Sequence, residues 1–244
     1  ERISMEIRGE RECAECGTRW SYYETGSVHC PACGSIRSVG VDERTRHTDR
    51  PVDLDLADAR TVAAEQSIRE AATLAGDVAR SYVTSRGFIH AGDLRPLDET
   101  FVAAQELHHA ARLIGVSIAV DEDEEYYFLS LLEGASEGRR PDPDSVPKSL
   151  RAARGLGAAA SVRAYRSDLR TYLETVETVE MVSDLLDRLD AHTRRVRALD
   201  GELPPTQADR LITAARAIGE YLRTEDESEL SVAASSLDGL ETTP

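Results

Sequence analysis

Hydrophobic positions follow two different periods along the chain. Between residues 5 and 41 short β-prone runs with alternating character stand between turns, which predicts strands. From residue 56 onward apolar residues recur every three or four positions, which predicts amphipathic helices. The change of period predicts a small β region at the N-terminus, followed by a mainly α-helical bundle domain.

Strands are expected over 5–12, 18–23 and 36–41, with a turn over 24–27. The stretch 42–55 is polar and charged and contains Pro51, which predicts a linker. The expected organisation is therefore a β region over 5–41, a linker over 42–55, a helical bundle over 56–225, and a short helix with a frayed tail over 226–244.

Helices are expected at seven places beyond the linker. The acidic run at 121–125 favours the start of a helix, because negative charge stabilises the positive end of the helix dipole. Thr206 and Asp209 resemble a capping box for a later helix. Proline and glycine make 134–147 the longest loop. The expected helices are 56–85, 98–115, one following 121–125, 149–161, 162–199, 207–223 and 227–237.

The longest of these helices carries an apolar seam. Its members recur at steps near three and four over about 27 residues, or roughly 40 Å at 1.5 Å per residue. Such a seam is a candidate for holding the protein in a larger complex. The seam residues are Leu169, Tyr172, Val176, Val179, Val182, Leu186, Leu189 and Val196.

The four cysteines of the chain form two pairs, Cys13-Ala-Glu-Cys16 and Cys30-Pro-Ala-Cys33, with thirteen residues between them. Each pair presents two sulfurs from one tight turn, and a short hairpin brings the pairs together. Gly17 and Gly34 follow the pairs, where the turn requires a positive φ. The spacing predicts a tetrathiolate zinc site and identifies 5–41 as a zinc ribbon.

Other uses of the cysteines are less favoured. Two disulfides suit a small secreted domain, yet the charged first eleven residues contain no apolar run of signal-peptide length. A redox pair fits poorly with two pairs in hairpin register. Iron sites of rubredoxin type place more residues between the pairs. Four protein thiolates leave no open position, so we expect one structural zinc, with His29 outside the ligand set.

The charge of the chain is strongly acidic and uneven. The formal net charge is −16, and Lys148 is the single lysine among 29 basic residues. Residues 1–46 hold eight acids and seven arginines, a net −1, and the remaining residues hold 37 acids and 22 bases, a net −15. This composition is typical of halophilic cytoplasm, where salt screens charge repulsion. An acidic mesophile with a GC-rich genome is the alternative.

One patch of the helical region could carry chemistry. Glu106 and His109 form a Glu-x-x-His pair, which is half of a carboxylate-bridged di-metal site. The chain contains no second such pair. We therefore expect His108 to be partly buried and hydrogen-bonded, and His109 to face solvent with Arg112. The protein is expected not to be an enzyme, although an active site in the bundle is the alternative.

The segment from Cys13-x-x-Cys16-Gly to Cys30-Pro-x-Cys33-Gly resembles the zinc ribbon of transcription factor IIB. With the Trp-Ser-Tyr-Tyr strand and the acidic, arginine-rich body, the chain resembles an uncharacterised family of ribbon-plus-helix proteins from halophilic archaea. The resemblance implies a zinc ribbon joined to an uncharacterised helical domain, and a transcription- or translation-related role. The cyclin-like repeats of the general factor are not recognisable.

The expected function is that of a cytoplasmic, non-enzymatic adaptor whose ribbon contacts protein or nucleic acid. A structural subunit held through the long helix is the alternative. One or two of the rings of Trp20, Tyr22 and Tyr23 are expected to cover the zinc site, and strand alternation leaves one ring facing outward. The candidate partner-binding residues combine arginine with that exposed ring, Trp20 or Tyr23, as binding hot spots do, and no membrane contact is expected. These residues are Arg19, Trp20, Tyr23 and Arg37.

Overall fold

The computed structural model describes residues 5–177 and 179–241. Small strands and a cysteine cluster occupy the N-terminal part, and helices dominate the rest of the described chain. The predicted fold class is confirmed.

The ribbon is built on a three-stranded antiparallel sheet. Strand β2 (Glu10–Cys13) lies between β3 (Arg19–Ser21) and β4 (Ser38–Gly40). Glu12 pairs with Arg19 on one side and with Val39 on the other. A single helical turn, α1 (Tyr22–Thr25), follows β3 and ends at Gly26. The strand predicted over 18–23 therefore ends two residues early.

The strand predicted over 5–12 is divided at Gly9. Strand β1 (Met5–Arg8) leaves the sheet and pairs with β5 (Arg44–His47), from Met5 opposite His47 to Arg8 opposite Arg44. A β-carbon at Gly9 would lie 1.7 Å from the ring of Tyr23, so only glycine fits there. Gly9 thus directs the two halves of the predicted strand into different sheets.

The stretch 42–55 contains structure that its polar sequence did not suggest. Strand β5 falls within it, and Leu54 is buried in the core of the helical region. Its charged residues are not spacers, because Arg46 and Asp49 make specific hydrogen bonds to distant parts of the chain. The segment predicted as a linker thus contains a strand and a buried residue, while the division into domains stays a prediction.

The helical region contains eight helices within the described residues, together with a short hairpin of β6 (Ile89–His90) and β7 (Asp93–Leu94). Tight 3₁₀ turns occupy the predicted loop at Ala135–Glu137 and Pro143–Ser145, and a third spans Lys148–Leu150. The helices are α2 (Ala57–Glu65), α3 (Ile68–Ser85), α4 (Glu99–Val116), α5 (Glu122–Gly134), α6 (Arg151–Leu173), α7 (Glu180–Ala198), α8 (Pro205–Thr224) and α9 (Glu227–Glu241).

Side-chain caps fix three of the helix starts. Ser67 accepts a hydrogen bond from the backbone N–H of Glu70, and Asp98 accepts one from Phe101. Asp121 and Glu124 form a reciprocal capping box, so the acidic run opens α5 as predicted. The capping box predicted at Thr206 is wrong, because α8 begins at Pro205 and Asp209 binds two arginines instead.

Two of the predicted helices are interrupted. The helix predicted over 56–85 is broken between α2 and α3, where Ser67 caps a new start. The long helix predicted over 162–199 is wrong: α6 ends at Leu173 and α7 begins at Glu180. Thr175, Val176 and Val179 are β-branched and favour extended backbone, and the side chain of Arg46 binds the carbonyl oxygen of Thr171 in the last turn of α6.

Helix α4 lies at the centre of the helical core. Residues 101–107 are all buried, and α4 packs against α3, α5 and α6. Close approach depends on small residues, since a β-carbon at Gly157 of α6 would lie 2.8 Å from the α-carbon of Glu106. The seam residues Leu169, Val182 and Leu189 are buried in this core, so they hold the bundle together.

Candidate metal centre

Two turns of the same design present the four cysteines. In the first, the N–H of Gly17 donates to the carbonyl of Cys13 at 3.0 Å, and in the second the N–H of Gly34 donates to that of Cys30 at 2.9 Å. Both glycines have a φ of +73°, the left-handed conformation that the sequence predicted. The repeated CxxCG pattern therefore folds twice into the same turn.

The four sulfurs converge on one point. Their Sγ atoms all lie within 4.8 Å of one another, with 3.6 Å between Cys13 and Cys33 and 3.5 Å between Cys16 and Cys30. These separations exceed the roughly 2.05 Å of a disulfide bond. They are close to the roughly 3.8 Å that separates sulfurs around a tetrahedral zinc with bonds of about 2.3 Å. The four cysteines are positioned to hold a metal ion.

One half of the centre is buried and the other half faces solvent. Cys13 and Cys30 are the first cysteine of each pair and are buried, whereas Cys16 and Cys33 are exposed. Trp20 covers the buried half, forming a small apolar cluster with Cys13 and Cys30. Its indole N–H donates to the carbonyl of Ser27 at 3.0 Å, which fixes the ring.

Hydrogen-bond partners surround the sulfurs. The hydroxyl of Thr18 lies 3.3 Å from the sulfur of Cys16, and the backbone N–H of Glu15 donates to the sulfur of Cys13 at 3.4 Å. The hydrogen bond with Thr18 lowers the pKa of the Cys16 thiol to about 6. A lowered pKa favours the thiolate, which is the form that binds metal. At Cys33 the hydrogen bond with Ser35 is outweighed by the neighbouring thiols of Cys16 and Cys13, which raise the pKa to about 12. His29 is exposed and hydrogen-bonds Ser27, in agreement with its placement outside the ligand set.

The two candidate arginines are exposed, and both are paired. Arg19 donates to Glu12 at 2.6 Å, and Arg37 donates to Glu15 at 2.7 Å. The Arg37–Glu15 pair bridges the two cysteine turns. Their positive charge is thus largely balanced within the ribbon itself.

The two candidate aromatic rings are not free for a partner. Trp20 is buried and covers the cysteine cluster, as expected for one of the rings: cross-strand pairing places it opposite Arg11 on that side of the sheet. Tyr23 is half-buried, packs over Gly9, and shares a hydrogen bond with Thr45 at 2.5 Å. In so small a domain the rings are needed to cover backbone and metal.

Aliphatic side chains take the exposed positions instead. The opposite side of the sheet, here named the outer face, is formed by Glu12, Arg19, Arg37, Val39 and Val41. Val39 is 56% exposed and Val41 45% exposed. Strand alternation predicts that Val39 and Val41 share a side, but the sequence alone does not show which side the metal covers.

Glu106 proves to belong to a buried ion network. It is 1% exposed and accepts hydrogen bonds from Arg140 at 2.9 Å, from Arg154 and from the hydroxyl of Tyr127. Both arginines also bind Asp209, so two positive and two negative charges are paired inside the bundle. Periodicity in the sequence places Glu106 on an inward-facing side of its helix. It does not reveal that Glu106 and Asp209 share Arg140 and Arg154, which are distant in the sequence.

The histidines beside Glu106 serve packing. His108 is partly buried, with its Nδ1 3.1 Å from the carbonyl of Gly76, as predicted. His109 is also partly buried, and burial lowers its pKa to about 4, so the expectation that it faces solvent is wrong. Neither ring belongs to a metal-ligand group within the described residues.

The chain is thus a protein with an N-terminal four-cysteine centre on small strands, followed by a mainly helical region. Within that class, the chain belongs to a family described as a family of unknown function (DUF7117), which matches residues 5–237. Neither the curated proteins nor the solved structures contain a match. Among the described helices, none is both long and apolar enough to cross a membrane.

Proposed function

We propose that the protein is a cytoplasmic, non-enzymatic adaptor. One structural zinc, bound by Cys13, Cys16, Cys30 and Cys33, shapes the ribbon, and the outer face of the ribbon binds a protein partner in a transcription- or translation-related assembly. The helical region holds the ribbon in place and offers a second surface. The observation that carries this proposal is the composition of the outer face.

Zinc is the metal that this donor set favours. Thiolates are soft ligands, and a tetrahedral four-sulfur site selects zinc or iron–sulfur chemistry. The short hairpin between the pairs favours zinc, and four protein sulfurs fill its coordination shell. A closed shell supports a structural role for the metal.

The outer face combines exposed aliphatic side chains with fixed ion pairs. Val39 and Val41 present apolar surface, while the Arg19–Glu12 pair presents a neutral polar group beside them. Desolvated aliphatic groups next to polar rim contacts are typical of protein interfaces. Residues 1–46 carry a formal −1, to which four thiolates bound to Zn²⁺ add −2, so the ribbon holds less negative charge in total than the body at −15.

A protein is the better-supported partner than nucleic acid. Nucleic-acid surfaces need free positive charge for phosphates and exposed rings for bases. Here Arg19 and Arg37 are paired with glutamates, and Trp20 is buried. The balance of charge and ring burial therefore supports protein contact.

The proposal is tested by quantitative capture from native lysate at high salt with three zinc-loaded variants. Val39→Glu, and Arg19→Ala combined with Arg37→Ala, should each lower recovery of the partner about tenfold, since interface hot spots contribute more than 1 kcal/mol. A photo-reactive residue placed at position 39 should cross-link to that same partner. Zinc content should stay unchanged.

The matched control is Ile118→Glu, which introduces the same charge at a side chain that is 97% exposed in the helical region. It should capture the partner as the unmodified protein does. Equal loss with this control would place the binding surface on the helices. Loss of capture after nuclease treatment, with direct binding of a labelled single-stranded oligonucleotide, would identify nucleic acid as the partner.

A further inference from the structure

Three rings from three parts of the molecule meet where the ribbon joins the helical region. His47 of β5 lies 4.7 Å from the ring of Tyr23 in α1 and 5.1 Å from the ring of His90 in β6, measured between ring centroids. The rings of Tyr23 and His90 are 5.5 Å apart. This group, here named the junction cluster, contacts the ribbon and the hairpin of the helical region at once.

His47 is buried and holds the two sides together. It is 4% exposed, and its Nδ1 accepts a hydrogen bond from the backbone N–H of Ala91 at 3.2 Å. Ala91 has a φ of +54°, so this bond supports a turn in a conformation that alanine rarely adopts. Because Nδ1 is an acceptor here, the ring is in its neutral form with the proton on Nε2.

A second proton on His47 would break this arrangement. Protonated Nδ1 is a donor, and it would face the N–H donor of Ala91. The Nε2 atom has no hydrogen-bond partner among the described residues. Burial outweighs Asp49, which favours the cation, and the pKa of His47 is lowered. Burial of an unpaired charge is strongly unfavourable.

The charged groups around His47 do not remove this cost. Asp49 is buried nearby, but its carboxylate already accepts from Arg86 at 2.6 Å and lies 3.4 Å from Nδ1 of His90. His90 adds a positive neighbour when it is protonated. From the ribbon side His47 meets the rings of Tyr22 and Tyr23.

We propose that the junction cluster is an acid-sensitive latch. Neutral His47 keeps β5 closed against the turn at Ala91, and protonation of His47 releases the two from each other. Opening frees the ribbon to change its orientation on the helical region. This device does not depend on which molecule the ribbon binds.

The direction of the pH effect follows from linkage. Burial, and the charge on His90, lower the pKa of His47 below its ordinary value of 6.5 in the closed state. In the open state the exposed ring takes up its proton near pH 6.5. The latch is therefore fully stable above about pH 6.5, and it loses stability as the pH falls from there toward the lowered pKa.

The test is amide hydrogen exchange of the full-length, zinc-loaded protein between pH 7.5 and 5.5. If opening takes up one proton, the protection factor of the Ala91 amide should fall about tenfold over this range. The amides of Thr48 and Asp49, which donate to the carbonyl of Ile89, should follow it. Zinc content is measured at each pH, and the comparison uses only samples that retain the metal.

His47→Phe keeps an aromatic ring but cannot titrate, so the Ala91 amide should exchange faster and independently of pH. His29→Gln, at an exposed ribbon histidine, should keep the full pH dependence. If His47→Phe does not fold, the ring carbon shifts of His47 in the unmodified protein report its own titration. Unchanged Ala91 protection while His47 titrates near pH 6.5, or the same pH dependence in His47→Phe, would overturn the proposal.

Discussion

The ribbon and the helical region bury apolar surface on very different scales. The apolar cluster of the ribbon consists of Cys13, Trp20 and Cys30, whereas the core of the helical region draws on every helix from α2 to α9. A core of three residues cannot offset the conformational entropy of ordering some thirty others. The comparison leads us to expect that the ribbon depends on a metal at its four cysteines and the helical region on packing.

Removal of the metal should give the largest effect, and we expect this effect in the ribbon alone. Zinc contributes about 10–16 kcal/mol to the folding of small zinc domains. We expect that chelation, or Cys13→Ser combined with Cys30→Ser, unfolds the ribbon while most of the helical circular dichroism remains. Metal analysis should find about one zinc per chain in the unmodified protein.

The segment 44–48, which follows the ribbon, sharpens this prediction. Arg46 and Thr48 hydrogen-bond to residues of α6 in the helical region. Exchange of the amides at 44–49 reports how far unfolding spreads. Cooperative loss of the helices with the metal would show that the two regions fold as one unit. Full retention of metal by the double serine variant, or iron as the native metal, would contradict the assignment of the centre.

The buried ion network should give the next largest effect, and this one is confined to the helical region. Glu106→Gln leaves Arg154 and Arg140 facing a single carboxylate, Asp209. Breaking a buried pair on one side costs about 3–5 kcal/mol. Urea denaturation followed by circular dichroism measures the loss, and zinc content should not change.

The control for this change is Glu137→Gln. Glu137 pairs with Arg139 on the surface, where both side chains are more than half exposed. Exposed pairs contribute about 0–1 kcal/mol, so the control should be nearly neutral. Similar costs for the two variants would mean that burial of the network does not matter.

Salt should give the smallest effect, and we expect this effect mainly in the helical region. Its net −15 favours expansion at low ionic strength, and screening should raise the melting temperature by about 2–4 °C for each kcal/mol of repulsion removed. The Debye length falls from about 10 Å at 0.1 M to about 3 Å at 1 M. Most of the rise in melting temperature should therefore occur below about 1 M KCl.

A melting temperature that does not change between ~0.1 and ~3 M KCl would contradict the halophilic interpretation, because the Debye length shrinks several-fold over this range. A rise that begins only above about 1 M would point to salt exclusion from the protein surface rather than to charge screening.

Local signals in the sequence predicted local structure well. The CxxCG pairs predicted both cysteine turns down to the positive φ of Gly17 and Gly34, and the acidic run predicted the start of α5. Each depends on residues within one turn of chain. The fold class followed from the hydrophobic period for the same reason.

Features that depend on distant residues were missed or misplaced. The break between α6 and α7 is reinforced by Arg46, more than 120 positions away, and the strand at 44–47 exists because β1 pairs with it. Alternation predicted that at least one ring covers the cysteine cluster, but only cross-strand pairing shows that Trp20 is that ring. Asp209 was predicted to cap a helix, but in the fold its carboxylate accepts hydrogen bonds from Arg140 and Arg154.

The pairing of β1 with β5 brings the two ends of the ribbon together. Arg8 lies opposite Arg44, and the backbone N–H of Gly9 donates to the carboxylate of Asp42 at 2.9 Å, so the chain leaves and re-enters at one point. A module whose ends are this close can be exchanged for another without disturbing its host. The paired strands thus hold both ends of the ribbon together, so that the path of the chain is set before and after the ribbon at the same place.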